Sequence, residues 1–184
     1  MRKYPFATVI SSDGQKIHTT LLLVVMDGTR LITHLAAENR HAGKLHQSTV
    51  LLFQGPHAYI SPTWYSKPRN VPTWNYTVVR AEVEAEVTSD PAQLLAIQEK
   101  MISALEPDWL PQWHRLDEDY KNGLLPYITG VYFEIKRLEF VEKLNQNKPR
   151  SDREQVARTL QKSNSGTERD LGKYMLEKLA KKGY

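Results

Sequence analysis

The sequence predicts an α+β protein built on a small antiparallel barrel, with its helices set apart from its strands. Three observations carry that expectation. Strand patterns dominate the first 88 of the 184 residues, two Asp-Gly dipeptides punctuate them, and the longer expected helices fall at residues 89–105 and after 150.

The first strand is "FATVI" from Phe6, and "SSDGQ" after it reads as a hairpin turn. "KIHTTLLLVV" returns as a second strand, Asp27-Gly28 turns again, and "TRLITHLA" is a third. Residues 6–36 thus read as a three-strand meander. "AAENRHAGKLHQ" reads as a short polar helix limited by Gly43. "STVLLFQG" and "HAYIS" are two further strands. Residues 77–88 alternate, with Val79, Ala81, Val83, Ala85 and Val87 on one face and Arg80, Glu82, Glu84 and Glu86 on the other. That is a half-buried strand whose glutamates face water.

"SDPAQLLAIQEKMISAL" is a helix with Asp90 as N-cap, Pro91 in the first position and a core stripe of Leu94, Ile97, Met101 and Leu105. "PDWLPQWHRLDEDYKNGLLPYI" is cut by prolines into short helical turns. "TGVYFEIKRLEFVEKL" is the last strand. "SDREQVARTLQK" opens on a capping box from Ser151 to Glu154, and a basic helix follows over about 167–182. The expected division is a barrel domain over 1–150 and a basic helical extension over 151–184, packed on it.

The chain has no cysteine, which excludes disulfides, thiolate nucleophiles and zinc ribbons. No apolar run is long enough to span a bilayer and the first residues lack a signal-peptide pattern, so the expectation is a cytoplasmic protein without a membrane partner. Net charge is +4, but residues 143–184 hold 11 Lys/Arg against 5 Asp/Glu. A basic end suits phosphate, DNA included, and equally a solvated helical tail.

Phosphate-loop, dinucleotide, zinc-protease and serine-hydrolase motifs are absent. Of six histidines only His41 and His46 lie close together, and five apart is not ligand spacing on a helix face. Neither a metal nor a catalytic residue is assigned. Two stretches carry binding chemistry. "YISPTWYSKPRNVPTWNY" puts five aromatics and three prolines into eighteen residues, a stiff surface suited to its own core, a second subunit or a flat ligand. Its hydroxyls, its amides and Arg69 favour a subunit interface with a ligand at the edge. "ITHLAAENRHAGKL" places Asn39, Arg40 and Lys44 in the first turns of the expected helix, where backbone N–H groups and cations suit a phosphate. An ordinary polar surface is the competing reading.

"FQGPHAYISPTWY" followed by "VPTWNY" closely resembles the signature of the PaiB family of FMN-binding negative transcriptional regulators. "HTTLLL", "HLAAEN" and "KLNQNKP" resemble further segments of that family, in order, over about Phe6 to Lys162. Three local differences stand out: Thr20 replaces a proline, Val141 stands where a lysine is common, and the loop between the two tryptophan motifs is shorter. The similarity is read as starting at the first strand, without the family's N-terminal Tyr-x-Pro-x-x-Phe segment. The resemblance implies a split β-barrel of mainly antiparallel strands with peripheral helices, a homodimer, and FMN at the dimer interface. It implies His34, Asn39, Arg40 and Lys44 near the phosphate, and Thr19 and Thr20 facing the ribityl chain or ring. Trp64, Trp74, Asn75 and Gln146 would line the dimer edge. It favours a regulator, with DNA contacted through the basic C-terminal region. The alternative on the same fold is an FMN-dependent oxidoreductase, with haem binding through His34 or His41 as a third option.

Overall fold

The computed structural model describes residues 1–45 and 48–181. Seven strands form one sheet: β1 Phe6–Ser12, β2 Ile17–Leu23, β3 Val25–Asp27, β4 Arg30–Ala36, β5 Ser48–Ile60, β6 Thr73–Thr88 and β7 Ile128–Lys143. The helices are α1 Pro91–Leu105, α2 Leu110–Arg115, α3 Glu118–Leu124, α4 Arg150–Gln161 and α5 Gly166–Ala180. Strand order is β2-β1-β5-β6-β7-β4-β3, and β1–β2, β1–β5, β3–β4 and β4–β7 are antiparallel.

The expected three-strand meander is corrected. Both Asp-Gly hairpins form, with Gly14 at φ 85° and Gly28 at φ 60°, where a side chain would be strained. But "KIHTTLLLVV" bends at Val24 and becomes two strands. These lie at opposite ends of the strand order, although one residue joins them. One peptide step cannot cross an open seven-stranded sheet. The sheet therefore curls until its edges meet, and Thr33 of β4 donates to the Leu23 carbonyl across that seam at 2.6 Å. That curl is the split-barrel fold expected from the resemblance.

Two compact units share the strands: Met1–Phe53 with Val79–Glu139, and Gln54–Val78 with the segment from Phe140 onward. The first unit is filled by Ala7, Val9, Leu22, Leu31, Leu51, Phe53, Ala81, Val83, Val131, Phe133 and their neighbours. β6 buries Ala81 and Val83 as its alternation requires, and its glutamates pair on the wet face with Arg80, Lys136 and Arg30. Val87 at the strand end stays exposed. α1 starts as expected, Asp90 accepting from the Gln93 N–H at 2.9 Å, and buries Leu94, Ile97 and Met101 but not Leu105.

In the second unit Ala58, Ile60, Tyr65 and Leu144 pack with α4 and α5 through Val156, Ala157, Leu160, Leu171 and Met175. Two boundaries move. α4 begins at Arg150 with Pro149 as its cap, so Ser151 lies inside the helix and the Ser151–Glu154 box does not form. The two strands expected over 48–61 are one, running through Pro56. β1 pairs with β5 only as far as Phe53, so the N–H that Pro56 lacks had no β1 acceptor to lose.

Candidate functional site

The turn expected to hold phosphate is built differently from its sequence reading. Residues 37–45 form no α-helix, only a single 3₁₀ turn over Ala42–Lys44. Its neighbouring amides are largely spent within the turn. Asn39 N–H donates to Ala36, Ala42 N–H to Asn39 and Lys44 N–H to His41, each to the carbonyl, and His41 N–H donates to Asn39 Oδ1. A helix N-terminus is therefore not what this segment offers. The physical reason is Gly43 together with an Asn39 side chain that bonds its own backbone two residues on. What it offers is cations: Arg40 exposed, and Lys44 half-buried.

His41 pins that turn to the β1–β2 hairpin. Its Nε2 lies 2.8 Å from Ser11 Oγ and its Nδ1 lies 2.8 Å from Thr20 Oγ1. Ser11 and Thr20 point inward from adjacent strands because the register sets Ser11 opposite His18 and Val9 opposite Thr20. The His41 ring is buried, and burial, helped by the nearby His18, pushes its pKa down. Both ring nitrogens are engaged, which leaves neither open to a haem iron. Beside it Asp13 Oδ2 accepts from His18 Nε2 at 3.0 Å and faces Lys44 Nζ at 3.5 Å. The His18 bond first, then the Lys16 and Gln15 amides, hold the Asp13 carboxyl far below the usual carboxylate range.

The fold thus brings Thr20, Asn39 and Lys44 into one polar cluster with Ser11, Asp13, His18 and His41, which sequence spacing did not connect. The only advance signal was the i, i+2 pairing of His18 and Thr20 on one strand face. Thr19 points the other way, onto the outer face of β2. His34 lies apart from the cluster, opposite Gly130 on β7, with Nδ1 3.4 Å from Met101 Sδ of α1 and its pKa lowered by burial.

The outer face of the β1–β2–β5 ribbon is apolar and uncovered. Cross-strand pairs Phe6/Leu23, Thr8/Leu21, Ile10/Thr19 and Ser12/Ile17 share it, with Leu52 and Val50 opposite Thr8 and Ile10 on β5. Phe6, Ile17, Leu21 and Leu23 are 56%, 73%, 58% and 44% exposed. Thr19 stands among them.

The aromatic stretch belongs to the second unit, and part of it serves that unit's own core. Tyr65 is buried and its hydroxyl accepts from Asn145 Nδ2 at 2.8 Å. Asn145 is itself buried at φ 60°. Ser66 N–H donates to Asp152 Oδ1 at 3.0 Å, and Lys148 sits over the Tyr65 ring. The Tyr65 hydroxyl and the Ser66 amide thus find partners, which is the condition for burying such a loop start. Trp64 packs half-buried against the same core. Asn75 is fully buried, its Nδ2 3.9 Å from Met175 Sδ and its Oδ1 without a partner. Gln146 spends its amide on the turn after β7, accepting from Leu144 N–H and donating to the Glu142 carbonyl. Trp74 stays on the surface, stacked on His57 at 5.6 Å, and Tyr59 is exposed as well.

Among the described residues no three His, Asp or Glu side chains lie close enough to share a metal ion, and no helix is long and apolar enough to cross a membrane. His46 of the His41/His46 pair lies outside the described residues.

Comparison with known proteins agrees with this architecture. The flavocytochrome Anf3 of Azotobacter vinelandii superposes with a TM-score of 0.59 at 19% identity, over 76% of this chain and 62% of that one. An FAD and haem binding protein of Mycobacterium smegmatis gives 0.63 at 11% identity, over 82% and 72%. At these identities the likeness shows the fold. In sequence the chain is 30% identical over 138 residues to "Protease synthase and sporulation protein PAI 2" of Bacillus subtilis, covering 73% of this chain and 65% of that protein. It is 30% identical over 164 residues to an uncharacterized protein of Aspergillus fumigatus, covering 77% and 62%. The chain therefore spans just under two thirds of the length of these relatives. The family model described as "Putative FMN-binding domain" matches residues 1–137, so the similarity begins before the first strand and ends inside β7. With a split barrel, a PaiB-type relative and a family match over most of its length, the chain belongs to that FMN-binding domain family.

Proposed function

We propose that the chain is the subunit of a flavin-binding homodimer that holds FMN where two copies meet and acts as a PaiB-type regulator. The carrying observation is the apolar outer face of β1, β2 and β5, with four large aliphatic or aromatic side chains turned to water. Contiguous exposure of this kind marks an interaction surface, and the same patch on two copies suits an isologous pair. Family membership supplies the cofactor.

The residues present fit a phosphate. Arg40 offers a planar fork for two oxygens and Lys44 a second cation, on a turn that His41 holds in place. Thr19 stands on the outer face of β2, away from that turn, with its hydroxyl among the exposed apolar residues. Trp74, in the second unit, keeps an exposed aromatic face. FMN when bound supplies redox or sensing chemistry through its ring. The chain's own task is to bind, orient and shield it.

The regulatory reading draws on the Bacillus relative, whose name ties that protein to protease synthesis and sporulation. The basic C-terminal region, 11 Lys/Arg against 5 Asp/Glu over 143–184, is the proposed DNA contact.

The test is an FMN titration followed by absorbance and fluorescence. Saturable binding is expected, and Arg40→Ala should weaken it about tenfold, the loss of one charge-assisted contact. An unchanged dissociation constant would remove Arg40 from the site, and the absence of FMN binding would end the flavin reading. Anaerobic NAD(P)H should leave the bound flavin oxidised, since bleaching would make the protein a reductase. A DNA shift that is equal on any sequence and vanishes at modest salt would reduce the C-terminal contact to non-specific charge.

A further inference from the structure

We propose that Asp13 is a built-in counter-ion that competes with phosphate for Lys44, and that His41 is the positioning residue holding the cationic turn against it. The inference rests on the reading of the Arg40–Lys44 turn as a phosphate site.

Asp13 is fixed where it can act. Its Oδ1 accepts from the Gln15 and Lys16 amides at 3.0 and 2.8 Å, which locks the carboxylate over the β1–β2 turn. That leaves Oδ2 to two side chains, His18 Nε2 at 3.0 Å and Lys44 Nζ at 3.5 Å. Lys44 is kept within reach because its N–H donates to the His41 carbonyl at 2.9 Å, while the His41 ring is clamped between Ser11 and Thr20. The groups facing this carboxylate are thus His18 from β2 and Lys44 from the turn, with the His41 ring 5.9 Å from that of His18. Arg40 makes no ion pair with it.

The consequence is electrostatic. A phosphate approaching Lys44 meets a cation already paired, with a negative charge fixed behind it. Arg40 delivers its full charge, whereas Lys44 delivers a charge set by Asp13. An anion must outbid Asp13, so the site is tuned toward weak, exchangeable binding. Such tuning suits a protein that responds to cofactor supply.

The discriminating variant is Asp13→Asn. It keeps the Oδ1 acceptor for both amides and removes the negative charge. A purely structural role predicts looser cofactor binding, whereas competition predicts the reverse. FMN affinity at low ionic strength should rise about threefold, in keeping with the loss of one partly exposed ion pair. Riboflavin, which lacks the phosphate, should bind as to the parent protein. Inorganic phosphate by itself should also bind the variant more tightly, since it meets the same freed cation. For His41, Thr20→Val should weaken FMN but not riboflavin, and Thr20→Ser should restore the parent value. Melting temperatures recorded alongside separate these effects from unfolding.

FMN affinity unchanged or lowered in Asp13→Asn, in a parent that binds FMN through Arg40, overturns the counter-ion while leaving the phosphate site in place. A parent that binds no FMN overturns both.

Discussion

His41 spends its imidazole inside the end of a barrel, between two hydroxyls, and this has a cost that depends on pH. Burial first, and the neighbouring His18 second, lower its pKa, and burial lowers that of His34. The unfolded chain therefore binds more protons than the native one as pH falls below the ordinary histidine value of about 6.5. Stability is fully present above that value and declines below it, by at most about 1.4 kcal/mol per pH unit for each histidine. Urea unfolding at pH 7.5 and 5.5 should show the decline, and a His34→Gln, His41→Gln double variant should flatten it. Thr20→Val removes one hydroxyl and leaves the buried Nδ1 without a partner. It should cost about 1–3 kcal/mol in the same assay, while Thr20→Ser costs little. None of this was legible from sequence, because Ser11 and Thr20 lie 30 and 21 residues from His41 and only the hairpin register brings them together. The expected phosphate helix failed at the same scale, where Asn39 and Gly43 favour a tight turn over a helix.

At the scale of elements, α4 and α5 cross where there is no room for a side chain. A Cβ on Gly172 would stand 2.6 Å from the Ala157 carbonyl oxygen and 3.0 Å from the Gln161 nitrogen, both backbone atoms that cannot rotate away. Gly172→Ala should force the helices apart and cost about 1–3 kcal/mol, read as a lower urea midpoint with an unchanged slope. A midpoint equal to the parent's would mean that the helix pair can shift freely. The sequence predicted a helix in both places, and the alternation over residues 77–88 predicted the buried face of β6. Lengths were harder to read. "VPTWNY" looks like loop because of its proline and aromatics, yet β6 already begins at Thr73. Aromatic residues are good strand formers once a neighbour supplies the ladder, and the neighbour is not written in the local sequence.

For the whole molecule, the barrel's seam and its uncovered face decide how it can associate. β2 and β3 close the curl through Val24, whose N–H donates to the Pro5 carbonyl at 2.9 Å. The ribbon of β1 and β2 beside that seam presents Ile17, Leu21 and Leu23 outward. If two copies meet on this face, a charge at its centre cannot be buried without a partner. Leu21→Glu should then convert a dimer to a monomer in analytical ultracentrifugation while circular dichroism stays native. A variant that remains dimeric would place the contact elsewhere.

The sequence alone determined the Asp-Gly hairpins, the amphipathic β6, the capped α1 and the family motif, each encoded in short runs of neighbouring residues. Tertiary structure alone decided that one predicted strand becomes both edges of a closed sheet. It also decided that part of an aromatic loop is core, and that His41, Asp13 and Lys44 form one cluster. Those outcomes depend on strand order and register, which bring together residues tens of positions apart, and no local pattern records them.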